Sequence, residues 1–200
     1  GQDLNGRDPR KMDGPPDLGE TLNTLYNPLV QKLRNLAKPV ICAVNGIAAG
    51  AGANIVFSCD IILASDNAKF IQSFAKVGLI PDAGGTYHLT QILGPLRAKA
   101  WAMTATPISA ATAKDWGLVW ECFPAENLMP AARAMAKELA QGATIGLAQT
   151  KAVIHQVGLE DLETHMALEA EIQRACGQSA DYREGVTAFL DKRPAKYMGK

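Results

Sequence analysis

Asp82 is the residue whose surroundings in the sequence best suit proton transfer. It is the sole charged residue between Val77 and Tyr87. Because removal from water disfavours the charged form of a carboxyl group, such a setting would raise its pKa towards neutral pH. A carboxylate with a raised pKa can accept and return protons at physiological pH. The competing interpretation is structural, since an aspartate between Pro81 and a helical run is also a typical helix N-cap.

A second candidate is the segment 45–54, which is dense in glycine and alanine. Small residues there permit a tight turn from a strand into a helix and the close approach of a ligand to the main chain. The first amides of a helix have no intrahelical partner, so those near Ala49–Gly52 could bind a phosphate or an oxyanion. The segment lacks the lysine of a P-loop and the acidic partner of a dinucleotide-binding fingerprint. Packing alone is the competing interpretation.

The composition excludes several other classes of protein. The 200 residues are 48% hydrophobic and 20% charged, which is typical of a compact globular protein and excludes general disorder. Twenty basic residues balance twenty acidic ones, so bulk charge indicates neither a nucleic-acid nor a membrane-surface partner. No apolar run reaches the roughly 20 residues of a membrane span. The spacing of the cysteines and histidines fits neither a disulfide framework nor a metal site, so we expect a cytoplasmic protein without a metal.

Strands and helices alternate in the first part of the chain, and helices fill the last part. Short apolar runs predict buried strands, and apolar residues at spacings of three and four predict helices. The predicted strands are 39–44, 61–64, 69–71 and 116–123. The predicted helices are 20–36, 87–93, 97–103, 109–114, 128–141, 145–158, 162–177 and 182–190, and Ser109 is the predicted N-cap of the fourth of them. We therefore expect an α/β core over residues 1–125 and a helical C-terminal region over residues 126–200.

The chain resembles the enoyl-CoA hydratase/isomerase (crotonase) superfamily. The stretches that carry the resemblance follow one another in order along essentially the whole chain. They are 1–4, 39–52, 59–62, 68–70, 78–86 and 181–189. The resemblance implies an α/β core of repeated ββα units and a C-terminal helical region that mediates trimerisation, commonly as a dimer of trimers. It also implies additional strands at the N-terminus, so we expect that the first strands of the core are absent from this chain.

The resemblance also implies the chemical roles. The main-chain amides of Gln2 and Ala51 are expected to hold the thioester carbonyl oxygen as it becomes an enolate. Hydratases of the family use two glutamates, whose positions correspond here to Asn54 and Phe74, and neither side chain can do their work. Isomerases of the family place one acid in the loop after the Ile-Pro pair, and here that acid is Asp82. The resemblance therefore implies an isomerase.

Two groups of residues are expected to bind the acyl-CoA substrate. The residues expected to line the acyl pocket are Asn54, Phe74, Val77 and Leu79. The residues expected to contact CoA are Asp3, Leu4, Lys192 and Lys196, the two lysines across a subunit boundary. Core packing and ordinary exposed charges are the competing interpretations. No cofactor besides the CoA of the substrate is expected, because isomerisation leaves the oxidation and hydration levels unchanged.

Three kinds of function remain open on the sequence alone. The first is isomerisation of an acyl-CoA thioester. It is either expansion of an epoxide beside the acetyl arm to an oxepin, as in phenylacetate degradation, or a Δ3-to-Δ2 shift of an enoyl double bond. The second is acyl-CoA binding or assembly without catalysis, since a fold does not fix a function. The third, a nucleotide-binding module, rests on the segment 45–54 alone.

Overall fold

The computed structural model describes Gly14, residues 17–159 and residues 161–200, and these fall into two compact units. The first contains the described residues up to Arg34 and Ile41–Ala132, and the second contains Asn35–Val40 and Arg133–Lys200. The division after residue 125 stays a prediction, because compact packing does not show that a segment folds independently. The predicted contacts at Gln2, Asp3 and Leu4 lie outside the described residues.

Helical turns lead from residue 18 to residue 35. α1 covers Leu18–Thr21, a π-helical turn covers Leu22–Tyr26, and α2 covers Asn27–Asn35. The widened turn lies just before Pro28, whose ring cannot accommodate the regular hydrogen bond to the preceding turn. The helix predicted over 20–36 is confirmed, with a local change of helix type at the proline.

Six short strands form two sheets among the described residues. They are β1 Ile41–Val44, β2 Ile47–Ala49, β3 Ile61–Ser65, β4 Lys69–Ile71, β5 Ile108–Ser109 and β6 Glu121–Phe123. The first sheet has the order β1, β3, β6, and all its pairings are parallel. The second has the order β2, β4, β5, with β2 parallel and β5 antiparallel to β4. The central strand β3 is buried along most of its length, which explains its continuous apolar sequence.

Four helices accompany these strands. They are α3 Ala51–Phe57, α4 Gly85–Thr104, α5 Ala110–Asp115 and α6 Ala125–Ala140, and a 3-10 helix covers Ser73–Val77. α4 joins the two helices predicted over 87–93 and 97–103, and it is interrupted at Gly94, where φ is 71° and ψ is 163°. The predicted cap of α5 is confirmed, because the Ser109 hydroxyl accepts a hydrogen bond from the N–H of Thr112 at 3.1 Å.

The strand predicted over 116–123 is wrong in its first half. Within this run the strand covers Glu121–Phe123, and the N–H of Trp120 just before it donates to the carbonyl oxygen of Ile62 in β3 at 2.8 Å. Gly117 has a φ of 79° and turns the chain, and Trp120 is 71% exposed. Trp116 ends α5, and its ring packs edge-on against Trp101 with centroids 5.9 Å apart. The large apolar side chains of this run therefore belong to the turn after α5 and not to a strand.

Aromatic packing fixes α3 and α4 against the second sheet. Phe57 of α3 stacks on Phe70 of β4 with centroids 5.7 Å apart, and Trp101 of α4 meets Phe57 edge-on at 6.2 Å. Phe70 is fully buried, and the Trp101 indole N–H donates to the carbonyl oxygen of Thr106 at 2.8 Å. Burial of one such side chain contributes about 1.5–3 kcal/mol. This cluster therefore holds the C-terminal ends of α3 and α4 against β4.

The second unit contains three further helices. α7 covers Thr144–Ile154, α8 covers Leu162–Gly177, and α9 covers Ala180–Leu190. Asp161 and Ser179 cap α8 and α9 through hydrogen bonds from main-chain N–H groups at 2.9 Å and 3.0 Å. The predicted helices are confirmed, although α7 ends four residues before the predicted residue 158. Over the described residues, no helix has both the length and the apolar character that crossing a membrane requires.

Candidate active site

Gly50 forms the turn between β2 and α3. Its φ of 55° and ψ of −129° lie in a region that residues with a side chain rarely adopt. Its N–H donates to the carbonyl oxygen of Ile71 at 2.9 Å, and its carbonyl oxygen accepts the N–H of Asn54 at 3.1 Å. Ala51 is the first residue of α3, so its N–H is one of the amides without an intrahelical partner. The predicted turn into a helix is confirmed, with the short strand β2 interposed after β1.

Asp82 lies in the loop that leads into α4, and two hydrogen bonds hold its main chain. Its carbonyl oxygen accepts the N–H of Gly85 at 2.8 Å and the side-chain Nδ2–H of Asn54 at 2.8 Å. The N-cap of α4 is Gly84, and no side chain in the described part of the protein caps this helix. The interpretation of Asp82 as a helix cap is therefore wrong.

The carboxyl group of Asp82 is partly withdrawn from water. Its Oδ1 atom is buried and has no hydrogen-bond partner among the described residues. Burial raises the pKa of Asp82 above its ordinary value of 3.8, and a hydrogen bond from its own main-chain N–H opposes this with a smaller effect. A carboxyl group in this state exchanges protons closer to neutral pH, as the uncharged sequence around it indicates.

A small apolar cluster brings the start of α3 next to the Asp82 loop. Its buried members are Val30, Ala51, Phe74 and Ala83, and Tyr26 and Ile55 pack against them. Ala83 has a φ of 49°, so the chain turns directly after Asp82. The predicted main-chain donor at Ala51 and the predicted acid at Asp82 thus belong to segments that pack together.

Asn54 is fully buried and connects three segments of the first unit. Its Oδ1 accepts a hydrogen bond from Nε2 of Gln72 at 2.8 Å, while its Nδ2 donates to the Asp82 carbonyl oxygen. The side chain of Asn54 is thus committed to contacts within the protein. Its predicted place in the substrate pocket stays a prediction.

Gln72 is the residue of this site that the sequence analysis missed. It is fully buried, and its Oε1 makes no hydrogen bond to any described residue. The sequence does carry a sign of it, because Gln72 is a long polar residue directly after the apolar pair Phe70 and Ile71. A polar side chain beside a buried strand is usually hydrogen-bonded inside the protein.

The other residues predicted to line the acyl pocket differ in their exposure. Phe74 is buried in the apolar cluster, where its ring lies near the Cα of Gly50. Val77 and Leu79 are 56% and 44% exposed, and the adjacent Ile80 is 77% exposed. The segment before Asp82 therefore presents apolar side chains at the surface. Contact between these residues and an acyl group stays a prediction.

The C-terminal tail, residues 191–200, is bound to α9 by the buried side chain of Asp181. Its carboxylate accepts the N–H of Met198 at 2.7 Å and the N–H of Gly199 at 2.9 Å. The main-chain N–H of Asp181 in turn donates to the carbonyl oxygen of Lys200 at 3.1 Å. These bonds fix the main chain at the end of the tail.

Glu184 holds the part of the tail that carries the predicted CoA-binding lysines. Its carboxylate accepts two hydrogen bonds from the Arg193 guanidinium, at 2.7 Å and 3.0 Å, and one from the N–H of Lys196 at 2.8 Å. The bonds from Arg193, then that from Lys196, lower the pKa of Glu184 to about 2. Lys192 and Lys196 are exposed. Their contact with CoA stays a prediction.

Comparison with known protein families and sequences gives a consistent result. The profile of the enoyl-CoA hydratase/isomerase family matches residues 1–200. The chain is 46% identical over 200 residues to the 1,2-epoxyphenylacetyl-CoA isomerase of Escherichia coli, covering all of this chain and 76% of that protein. It is 42% identical over 184 residues to a probable enoyl-CoA hydratase of Rhodobacter capsulatus, covering 92% of this chain and 72% of that protein.

The fold is also shared with solved structures. An enoyl-CoA hydratase from a Polaromonas species superposes with a TM-score of 0.92 at 32% sequence identity. The match covers 99% of this chain and 77% of that one. The α/β architecture predicted from the sequence is therefore confirmed.

Proposed function

The chain belongs to the enoyl-CoA hydratase/isomerase family and has its crotonase-like fold, and on that premise we propose that it isomerises an acyl-CoA thioester with Asp82 as the proton carrier. The observation that carries this proposal is the buried Oδ1 of Asp82, which has no hydrogen-bond partner within the described part of the chain and lies in a loop that packs beside the Ala51 turn. A carboxyl group that keeps one oxygen without a partner among the described residues, and that has a raised pKa, suits proton transfer.

The residues at the hydratase positions support isomerisation over hydration. Asn54 and Phe74 stand where hydratases of the family carry glutamates, so this chain lacks both acids that would activate and deliver water. Asn54 is, in addition, fully buried and hydrogen-bonded on both atoms of its amide. One acid is sufficient for an isomerase, because the proton removed from one carbon can be returned to another.

The proposed reaction conserves atoms and electrons. The ionised Asp82 removes a proton from the carbon next to the thioester, and the resulting negative charge moves onto the carbonyl oxygen. The main-chain amides of Ala51 and of Gln2, which lies outside the described residues, would donate hydrogen bonds to that oxygen. The protonated Asp82 then returns the proton to a carbon further along the conjugated system. The enolate collapses to the thioester, and the carboxylate is regenerated.

We propose 2-(1,2-epoxy-1,2-dihydrophenyl)acetyl-CoA as the substrate and oxepin-CoA as the product. The carbon–carbon bond within the epoxide breaks as its electron pair and the ring double bonds shift to give the seven-membered ring, and the proton transfer described above then moves a double bond into conjugation with the thioester. The support is the 46% identity over the whole chain to the E. coli protein named for an isomerase of that epoxide. The rival is a Δ3-to-Δ2 shift of a fatty enoyl-CoA or of dehydroadipyl-CoA, which would use the same acid and the same donors.

A panel of thioesters tests both the reaction class and the substrate. The wild-type protein and the variant Asp82→Asn are incubated with the epoxide, with 3-enoyl-CoA esters and with 2-enoyl-CoA esters, and the products are identified by mass and absorbance. We expect isomers of unchanged mass, a preference for the epoxide, and loss of turnover in Asp82→Asn with thioester binding retained. Products heavier by one water would refute isomerisation, and binding without Asp82-dependent turnover would favour a non-catalytic acyl-CoA-binding protein.

Three further features of the proposal rest on the resemblance. We propose a homotrimer or a dimer of trimers, a cytoplasmic location, and a reaction without any cofactor besides the CoA of the substrate. The oligomeric state is measurable by light scattering of the purified chain, and the cofactor requirement by assay after exhaustive dialysis.

A further inference from the structure

We propose that Asn54 and Gln72 are positioning residues that hold the Asp82 loop against the Ala51 turn, an inference that rests on the isomerase function proposed above. The geometry is a relay of two hydrogen bonds of 2.8 Å each. The first runs from Gln72 Nε2 to Asn54 Oδ1, and the second from Asn54 Nδ2 to the main-chain carbonyl oxygen of Asp82.

The relay begins beside the hydrogen bond that holds the Gly50 turn. Gly50 donates its N–H to the carbonyl oxygen of Ile71, the residue before Gln72. Asn54 lies in α3, one helical turn after Ala51, and donates its own N–H to the carbonyl oxygen of Gly50. The main chain of the predicted donor and the amide that reaches Asp82 are therefore parts of one hydrogen-bonded segment.

The other end of the relay is equally constrained. The carbonyl oxygen of Asp82 is fixed from two sides, by Asn54 and by the N–H of Gly85. Only its main chain is held in this way, and the carboxyl oxygen Oδ1 stays without a hydrogen-bond partner among the residues the structure describes. The relay can thus position the Asp82 side chain without forming a hydrogen bond to its carboxyl group.

Unsatisfied atoms at both ends indicate that the relay is not optimised for stability. Gln72 Oε1 and Asp82 Oδ1 are both buried and without partners in the described structure. Buried polar atoms without partners are rare, and they cluster where function requires a particular arrangement. A purely structural network would be expected to satisfy them.

The variant Asn54→Ala tests the proposal, with Gln72→Ala as a second variant and Ser65→Ala as the matched control. Ser65 is also buried, and its hydroxyl donates to Asn67 Oδ1 at 2.8 Å, away from the relay. For each variant, kcat, KM and Tm are measured, and the pKa of Asp82 is followed by NMR of the ¹³C-labelled carboxyl group, assigned with Asp82→Asn.

We expect kcat of Asn54→Ala to fall by about 10-fold to 100-fold, with KM changed by less than about 3-fold, because small misplacement of a catalytic group has effects of this order. The pKa of Asp82 should fall towards its ordinary value in the free protein, since a released loop lets water reach the carboxyl group. Gln72→Ala should show the same changes more weakly, and Ser65→Ala should change Tm alone.

Three outcomes would either refute the positioning role or separate it from the proposed function. Wild-type kcat and an unchanged Asp82 pKa in a folded Asn54→Ala protein would refute the positioning role, as would a loss matched by Ser65→Ala. If Asn54→Ala does not fold, the same two measurements on Gln72→Ala decide the matter. If the wild type turns over no thioester, the proposed function fails, and the carboxyl titration still shows whether the relay positions Asp82.

Discussion

The amide of Asn54 lies against the Cα of Gly85 and fills the space that a side chain at position 85 would need. Gly85 is at the same time the residue whose N–H holds the Asp82 carbonyl oxygen at 2.8 Å. One glycine therefore allows the buried amide and the entry of α4 to approach each other. The absence of a side chain at this position is a condition for the Asp82 loop to take its observed form.

The variant Gly85→Ala should destabilise the protein and reduce turnover. Its Cβ would overlap all three polar-end atoms of the Asn54 side chain, and overpacking of this kind costs about 1–3 kcal/mol. Denaturant unfolding measures the loss. The control is Gly146→Ala in α7, where an added Cβ meets nothing within 4 Å and should stabilise by about 0.5–1 kcal/mol. Equal stability of the two variants would contradict the packing described for Gly85.

The variant Asp82→Asn should be more stable than the wild type at neutral pH. Because the folded state raises the pKa of Asp82 above 3.8, ionisation of this group opposes folding. The penalty is absent below the unfolded pKa and grows as pH rises through the window between the unfolded and folded values. Tm measured against pH should therefore show an advantage for Asp82→Asn at pH 7 that disappears in acid. An advantage that grows in acid would contradict the raised pKa.

The pH dependence of the wild-type reaction should reflect the same group. Since the ionised form of Asp82 accepts the proton, kcat/KM should rise with pH through the pKa of Asp82 in the free protein. The midpoint of that rise should lie above the ordinary value of 3.8, because burial disfavours the carboxylate. Initial rates between about pH 3 and pH 8, corrected for the folded fraction, measure it. A rise centred at or below 3.8 would count against Asp82 as the base.

The variant Ala51→Pro should remove one proposed donor to the enolate while sparing the helix. Proline is tolerated at the first position of a helix, and Ala51 is the first residue of α3. Loss of one such N–H should reduce kcat by about 100-fold to 1,000-fold. Ala51→Gly keeps the N–H and serves as the control. Equal rates in the two variants, with both folded, would show that the Ala51 amide does not serve as a donor.

The variant Asp181→Ala should release the C-terminal tail. The N–H groups of Met198 and Gly199 would lose the carboxylate that accepts both hydrogen bonds, at a cost of about 1–3 kcal/mol. Amide hydrogen exchange at these two residues should become fast. Asp191→Ala is the control, because Asp191 is exposed and its carboxylate accepts only a long hydrogen bond of 3.4 Å from Arg193 among the described residues. Unchanged exchange in Asp181→Ala would contradict the anchoring role.

Local sequence patterns were sufficient to predict most of the helices and the direction in which the pKa of Asp82 is shifted. The uncharged run around Asp82 predicts desolvation, and the structure shows a raised pKa with burial as its main cause. Ser109 likewise caps α5 as its position predicts. These predictions succeed because the deciding interactions lie within a few residues of the sequence position.

Contacts between residues far apart in the sequence could not be predicted from local patterns. Asn54 and Asp82 are 28 residues apart, and their hydrogen bond depends on how α3 and α4 pack. The prediction of a strand from Trp116 is wrong for a related reason. An apolar run does not show whether its aromatic side chains pack at the end of a helix or on a sheet. The position of Gln72 after an apolar pair indicates a buried polar residue, but its part in the site follows from its hydrogen bond to Asn54.

The hydrogen bond that Asn54 donates also restricts which residues position 54 can carry. The glutamate that hydratases of the family carry at this position has no N–H to offer, so acquiring it would break the bond to the Asp82 carbonyl oxygen. The replacement that supplies one of the two hydratase acids would thus remove one of the two hydrogen bonds that hold the Asp82 main chain. A glutamate at position 54 would therefore be compatible with the observed 78–84 loop only if another donor replaced the Asn54 amide.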